Sequence, residues 1–237
     1  MARWLSNGPC PSCGSRDNLA SYDDGSKWCW GCHYYEHRNR LPIKEEIEEE
    51  GKHKKLPDDF THFFGTDSVN WFSRYGFTPE QLIRRNVGYS TSRNQTIFTF
   101  PGTDLWQARN HNPSRVKYIT SGNHDDVLPI FSHCSGPNLD SILVVVEDCL
   151  SAIKITDSAR GLEGPRIDAM PLLGSHLASS KLNRLKRLYS NLIVWLDHDK
   201  GKEAQQIARR ATMIGIEARL ISTELDPKEY DNLQEMF

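Results

Sequence analysis

From residue 140 onward, hydrophobic and polar positions fall into short blocks that alternate between two periodicities. Ile142-Leu143-Val144-Val145-Val146 is an unbroken aliphatic run, the pattern of a strand buried on both faces. Residues 148–160 switch to helical spacing. Met170-Pro171-Leu172-Leu173 reads as a second strand, 176–189 as a helix, and Leu192-Ile193-Val194-Trp195-Leu196 as another buried strand. Residues 200–214 are again helical, and Ile216-Glu217-Ala218-Arg219-Leu220-Ile221 is a last strand. Strands and helices alternating across short loops predict a parallel sheet flanked by helices, an α/β fold.

The earlier part of the chain is less regular. Residues 56–90 carry Phe60, Phe63, Phe64, Trp71, Phe72, Tyr75, Leu82 and Ile83 at mixed helical spacing. Thr78-Pro79-Glu80 is a helix start, with Thr78 as the cap and Pro79 at the first helical position. Residues 96–100 and 116–120 read as short strands, and Pro101-Gly102-Thr103-Asp104 as a turn. Between Lys44 and Lys55 the chain has five Glu, four Lys and one apolar residue, a composition that cannot bury a core. This divides the chain into a small N-terminal domain over 1–40, a charged linker over 41–57, a mixed α+β subdomain over 58–138 and the parallel-sheet domain over 139–237.

Four of the six cysteines fall in the first block. Cys10-Pro11-Ser12-Cys13 and Cys29-Trp30-Gly31-Cys32 are two Cys-x-x-Cys knuckles fifteen residues apart, and Asp23-Asp24-Gly25-Ser26 between them is a hairpin-turn signal. That spacing lets the knuckles close around a tetrahedral zinc ion. Four thiolates leave no position for water, so the metal is structural. Gly14 and Gly31 suit tight turns beside it. Trp4, Tyr22, Trp28, Trp30, Tyr34 and Tyr35 surround the knuckles. They are either the small core of this module or a platform on which unpaired bases stack. Cys134 and Cys149 lie outside the spacing and read as small buried hydrophobes.

Overall charge narrows the picture only slightly. Lys plus Arg is 29 and Asp plus Glu is 31, which excludes a uniformly basic binder. Locally the balance differs: residues 62–135 carry seven basic and five acidic groups, and residues 180–215 carry eight and three. No apolar run approaches the ~20 residues of a membrane span, and the first residues have no apolar signal core. A cytoplasmic protein without membrane association is expected.

The acidic positions carry the chemistry. Glu147 directly follows one predicted strand, and Asp197 and Asp199 directly follow another. In a parallel sheet, ligands gather beyond the carboxyl ends of strands. An i, i+2 pair on extended backbone presents both side chains to one side. With Glu147 it could hold Mg²⁺, a hard cation that takes oxygen ligands. Asp226-Pro227-Lys228-Glu229 follows the last strand as a further acidic stretch.

Val145-Val146-Glu147-Asp148, Val194-Trp195-Leu196-Asp197-His198-Asp199 and Asp226-Pro227-Lys228-Glu229 together resemble a Toprim domain, shared by primases, topoisomerases and related nucleases. With the preceding four-cysteine ribbon, the layout resembles phage-type DNA primases and, beyond them, bacterial primases. Leu82 to Gly88 is similar to the segment that opens the family's polymerase core. Arg109, Lys117-Tyr118-Ile119-Thr120-Ser121-Gly122 and Leu128-Pro129-Ile130-Phe131 resemble its basic strand pair and the run into the Toprim strand, and Leu173-Gly174-Ser175-His176 its glycine turn.

The resemblance implies synthesis of short RNA primers on single-stranded DNA from ribonucleoside triphosphates, in the service of a separate replicative helicase and DNA polymerase. It implies Mg²⁺ or Mn²⁺ on Glu147, Asp197 and Asp199, with Asp226 and Asp148 as further candidates. Glu147 could instead serve as a general base. Arg109 and Lys117 are then expected to contact the triphosphate, and Lys27, Trp28, Trp30, Arg84 and Arg85 the template. Two features depart from the family: Asp148 stands where Gly is usual, and Asp24-Gly25-Ser26-Lys27-Trp28 lacks the His often found before the third cysteine. No Gly-x-x-x-x-Gly-Lys-Ser/Thr is present, so no nucleotide-driven motor is expected. A RecR-like zinc and Toprim recombination mediator and a Toprim nuclease are the rival readings.

Overall fold

The computed structural model describes residues 3–32, 34–36, 55–122, 127–133, 140–174 and 176–236. The chain forms two compact units, divided between Gly51 and Lys52. Most of the expected linker, the 138/139 boundary, Cys134 and Ser175 lie outside the described residues.

The small unit is an antiparallel sheet of β1 (Trp4–Gly8), β2 (Leu19–Tyr22), β3 (Lys27–Cys29) and β4 (Tyr35–Glu36), in that order. The expected hairpin turn joins β2 to β3. Gly25 takes φ 80° there, and Asp24 Oδ1 accepts from the Ser26 amide at 2.9 Å. Its buried apolar cluster is Cys10, Leu19 and Cys29, with Tyr34 against it. So small a core leaves much of the folding energy to be supplied by the cysteine site.

The larger unit contains two sheets. An antiparallel sheet runs in the order β5 (Phe60–Thr61), β6 (Val87–Ser90), β7 (Gln95–Thr99), β8 (Trp106–Asn110) and β9 (Tyr118–Ser121). Helices α1 (Thr66–Ser73) and α2 (Pro79–Ile83) fill the connection from β5 to β6. Thr78 and Gln81 form a reciprocal capping box at the start of α2, as the Thr-Pro signal predicts. The helical spacing over 56–90 conceals β5 and β6. Every residue of β6 is buried, so it shows no alternation. The Phe60 ring lies directly over Gly88, where a Cβ would sit 2.4 Å from it.

The second sheet is parallel throughout. It comprises β10 (Ile142–Val146), β11 (Ile167–Pro171), β12 (Asn191–Val194) and β13 (Glu217–Leu220), in the order β11-β10-β12-β13. Helices α3 (Cys149–Ser158), α4 (Ser179–Leu185) and α5 (Gly201–Met213) make the connections. Alternation along the buried strands separates two cores. Val144, Val146, Ile193 and Trp195 face α3 and the aromatic residues of α1, β7 and Phe131. Leu143, Val145, Leu192 and Val194 face α4 and α5. The antiparallel and parallel sheets thus share the first core.

Two expected boundaries shift. β11 begins at Ile167 rather than 170, because Asp168 interrupts the apolar pattern yet is fully buried. Its charge is met by Arg166 at 2.7 Å and the Tyr189 hydroxyl at 2.8 Å. The helix expected over 176–189 is regular only over Ser179–Leu185. Cys149 is buried, and its thiol donates to Gln107 Oε1 at 3.6 Å. Among the described residues, no helix is long and apolar enough to cross a membrane.

Candidate active site

Strands β10 and β12 are adjacent and in register, with Val145 opposite Val194. Their carboxyl ends therefore deliver Glu147 and Asp197 to one place. Both line a cleft of about 450 Å³ that is also lined by Arg109 of β8, by Tyr118 and Thr120 of β9, and by Lys117 just before β9. Asp148, Asp226 and Lys228 complete the acidic side. A second cleft of about 470 Å³ shares Trp71, Arg74, Arg109 and Lys117 with it and adds Arg115.

The acids are not equivalent. Burial, with Asp226, Glu147 and Asp148 as neighbours, pushes Asp197 up to about 7 against the pull of Lys228. Its Oδ1 is buried and has no hydrogen-bond partner. Burial also raises Glu147; Lys200 lowers it, while Asp148 and Asp199 raise it further. Asp148 caps α3, accepting from the Ser151 amide at 3.1 Å, and pairs with Lys228 Nζ at 2.7 Å. Asp226 caps the 3₁₀ turn Pro227–Glu229 and meets the same ammonium at 2.7 Å. Burial works against charge on Lys228, but Asp148 and Asp226 outweigh it and hold the amine protonated.

Asp199 departs from the i, i+2 expectation. The chain leaves β12 and enters a 3₁₀ turn at His198–Lys200, so Asp197 and Asp199 do not share an extended backbone. The Asp199 side chain is 75% exposed and lies 3.7 Å from Lys200 Nζ. Its charge still reaches Glu147. His198 turns toward the Thr223 carbonyl at 3.3 Å.

The donor set suits a hard divalent cation. Glu147 and Asp197 are half-buried carboxylates that repel each other, and an inward-facing Asp197 oxygen lacks a partner. Asp148 and Asp226 already have a cation in Lys228.

On the basic wall, Arg109 is held between two aromatic rings. Its guanidinium carbon lies 5.2 Å from the Trp71 ring centre and 5.2 Å from that of Tyr118. Such stacking fixes a planar cation while leaving its edge free to donate. Its Nε is buried without a partner. Lys117 Nζ lies 5.6 Å from the centre of the Tyr118 ring, the residue it precedes. Leu173, at φ 57°, turns the chain after β11 along the cleft, a left-handed conformation uncommon for a leucine.

Arg85 is placed elsewhere. Its guanidinium pairs with Asp157 on α3 and donates to the Ser132 carbonyl at 3.0 Å. Only 12% of the side chain is exposed. This geometry ties the α2–β6 connection to α3. Arg84 lines a separate cleft of about 230 Å³ with Phe100 and Phe131. Trp71 and Gln107 lie outside the motifs, whereas Tyr118 and Lys228 stand inside two of them without an expected role. Trp71 reads as core, and Lys228 is concealed in a stretch that reads as acidic.

In the small unit, the sulfurs of Cys10, Cys13, Cys29 and Cys32 lie within 4.8 Å of one another. Among the described residues this is the one group of three or more candidate ligands so converged. Cys10–Cys32 and Cys13–Cys29 are each separated by 3.7 Å. A tetrahedron with Zn–S bonds of ~2.3 Å has edges of about 3.8 Å, so the cluster fits zinc. Gly14 takes φ 69°, as a tight turn requires. Gly31 does not; a Cβ there would press on the Asn18 amide at 3.0 Å. Trp28 is half-buried against Tyr35, at 6.0 Å between ring centres. Trp30 is 64% exposed, and Lys27 pairs with Glu36 at 3.1 Å.

No protein-family model matches the chain, and no curated protein matches it. Solved structures do. The primase fragment of the bacteriophage T7 primase-helicase superposes with a TM-score of 0.52 at 14% identity, over 95% of this chain and 93% of that one. The Aquifex aeolicus primase, comprising zinc-binding and RNA polymerase domains, gives 0.52 at 12% identity, over 99% and 77%. The DnaG primase catalytic domain bound to single-stranded DNA gives 0.52 at 15% identity, over 69% and 66%. This chain therefore has the fold of phage and bacterial primases, four-cysteine ribbon included.

Proposed function

We propose that this protein is a DNA primase that synthesises short RNA primers on a single-stranded DNA template. The observation that carries the reading is the meeting of unlike charges in one cleft: Glu147 and Asp197, beyond adjacent parallel strands, line it together with Arg109 and Lys117 of the antiparallel half. Joining ribonucleotides requires carboxylates to hold divalent metal beside cations that hold a triphosphate. The shared primase fold supports this assignment over binding alone. Residues 58–138 then form the N-terminal part of the polymerase core, and 139–237 a Toprim domain.

Glu147 and Asp197 would hold Mg²⁺ or Mn²⁺, with Asp199 at the edge of the set. Bound there, the ion would activate a 3′-hydroxyl and stabilise charge on the attacked phosphate. Arg109, clamped by Trp71 and Tyr118, would orient the triphosphate without moving as charge develops. Lys117 would neutralise the same group from the start of β9. The four cysteines would hold zinc, and exposed Trp30 with Trp28 and Lys27 would meet the template. A separate helicase and DNA polymerase would receive the product.

The test is incorporation of labelled ribonucleotides on varied single-stranded templates with Mg²⁺ or Mn²⁺ and zinc present. Dinucleotide and longer products are expected, and they should disappear with Glu147→Gln or Asp197→Asn while the fold is retained. Cleavage of the template without synthesis would instead identify a nuclease. Absence of both activities would favour a binding role.

A further inference from the structure

We propose that Lys228 is a built-in cation that takes the place of a second metal ion in the acidic cleft. The inference rests on the primase reading for its importance, but its geometry stands independently. Four carboxylates line this side of the cleft: Glu147, Asp148, Asp197 and Asp226. Lys228 Nζ sits between two of them, 2.7 Å from Asp148 Oδ2 and 2.7 Å from Asp226 Oδ2. Its side chain is 11% exposed, and those of Asp148 and Asp226 are 12% and 21%.

An ammonium held by two carboxylates occupies the location that a bridging divalent ion would need. The lysine is also held from behind. It follows Pro227 in a 3₁₀ turn closed by the Asp226–Glu229 capping box, and it lies 5.8 Å from the Tyr75 ring centre. Asp148 is fixed in turn by capping α3. If either carboxylate swings toward a metal, the buried lysine keeps one carboxylate in place of two, which is costly. What remains is Glu147 and Asp197, which both line the cleft, and the buried Asp197 Oδ1 has no hydrogen-bond partner. Two carboxylates match one divalent ion in charge. The cleft thus takes one exchangeable ion beside one permanent cation.

The experiment counts ions rather than turnover. The full zinc-loaded chain is titrated with Mn²⁺, and unbound Mn²⁺ is followed by electron paramagnetic resonance. One bound ion is expected, removed by Glu147→Gln and unaffected by Asp226→Asn. Lys228→Gln should raise the count to two, and Lys228→Gln combined with Asp226→Asn should return it to one. Two ions on the unaltered chain, one lost with Asp226→Asn, would overturn the proposal. So would a single ion on a Lys228→Gln variant with native circular dichroism, or no ion on any form. If Lys228→Gln fails to fold, the unaltered chain and Asp226→Asn decide the matter by themselves. Primer synthesis is read separately: an inactive chain with the expected counts sinks the primase reading alone, and an active chain with two ions sinks this proposal alone.

Discussion

Arg109 and Tyr118 are cross-strand partners on β8 and β9, and the guanidinium carbon of one lies 5.2 Å from the ring centre of the other. The pair converts sheet register into the aim of a charged group. The Trp71 ring centre lies at the same distance from that carbon. Removing one ring should let Arg109 wander without removing its charge. Tyr118→Leu is therefore expected to weaken triphosphate binding by about 3–30-fold, the scale of one desolvated cation–π contact. The effect should appear chiefly in the KM for ribonucleotide, and Tyr118→Phe should recover most of it. Steady-state kinetics on a fixed template check this.

Arg85 and Asp157 make the opposite case, a charge pair used for folding. The guanidinium joins Asp157, the Ser132 carbonyl and His133. Arg85→Met strands a largely buried carboxylate beside Thr156 and α3. A loss of about 3 kcal/mol is expected from chemical denaturation, as for other ion pairs broken from one side. Template affinity, measured on the folded fraction by fluorescence anisotropy, should change little.

These two arginines also mark how far the amino-acid pattern could be read. The parallel sheet was legible because Ile142–Val146 and Leu192–Leu196 are aliphatic runs, and burial on both faces leaves no other use for them. Glu147 and Asp197 were legible because strand ends are where such a sheet exposes function. Arg85 was not, since an arginine in a helix–strand connection looks the same whether it meets solvent or Asp157, 72 residues later. Asp199 was misplaced because nothing in Asp197-His198-Asp199 announces a 3₁₀ turn in place of extended chain. Nothing in Asp226-Pro227-Lys228-Glu229 shows that the ammonium also pairs with Asp148, 80 residues away.

The acidic cleft predicts an unusual stability profile. Asp197 titrates near 7 in the fold, above the ~4 of an unfolded aspartate. Between those values the folded chain holds a proton that the unfolded chain has released. Its contribution is thus fully present below pH ~4 and is lost as pH rises through about 7. In metal-free buffer, the difference in stability between Asp197→Asn and the unaltered chain should grow across that window in favour of the variant. It should reach about 1–3 kcal/mol at pH 8, the cost of a poorly satisfied buried polar group. Adding Mg²⁺ at pH 8 should stabilise the unaltered chain and not the variant. Urea melts at pH 5 and pH 8 test both statements. Groups that do not act on Asp197, His111 among them, cancel in the comparison.

The cysteine module should unfold as a unit of its own. Its buried cluster holds only Leu19 beside two of the ligands, whereas residues 52–237 have two extensive cores. Zinc binding by such modules contributes about 10–16 kcal/mol. Chelation, or Cys29→Ser, is therefore expected to melt residues 3–36 while the larger unit stays folded. The reporters are at hand. Trp4, Trp28 and Trp30 lie in the module, and Trp71, Trp106 and Trp195 are buried in the larger unit. Chelator should change the fluorescence of the first three at ambient temperature, and a Trp28→Phe, Trp30→Phe variant should lose most of that change. The main thermal transition, carried by the second three, should move by no more than a few degrees. Zinc analysis should give one ion per chain before chelation and none after Cys29→Ser. A main transition that collapsed with the metal would show instead that the two units fold together.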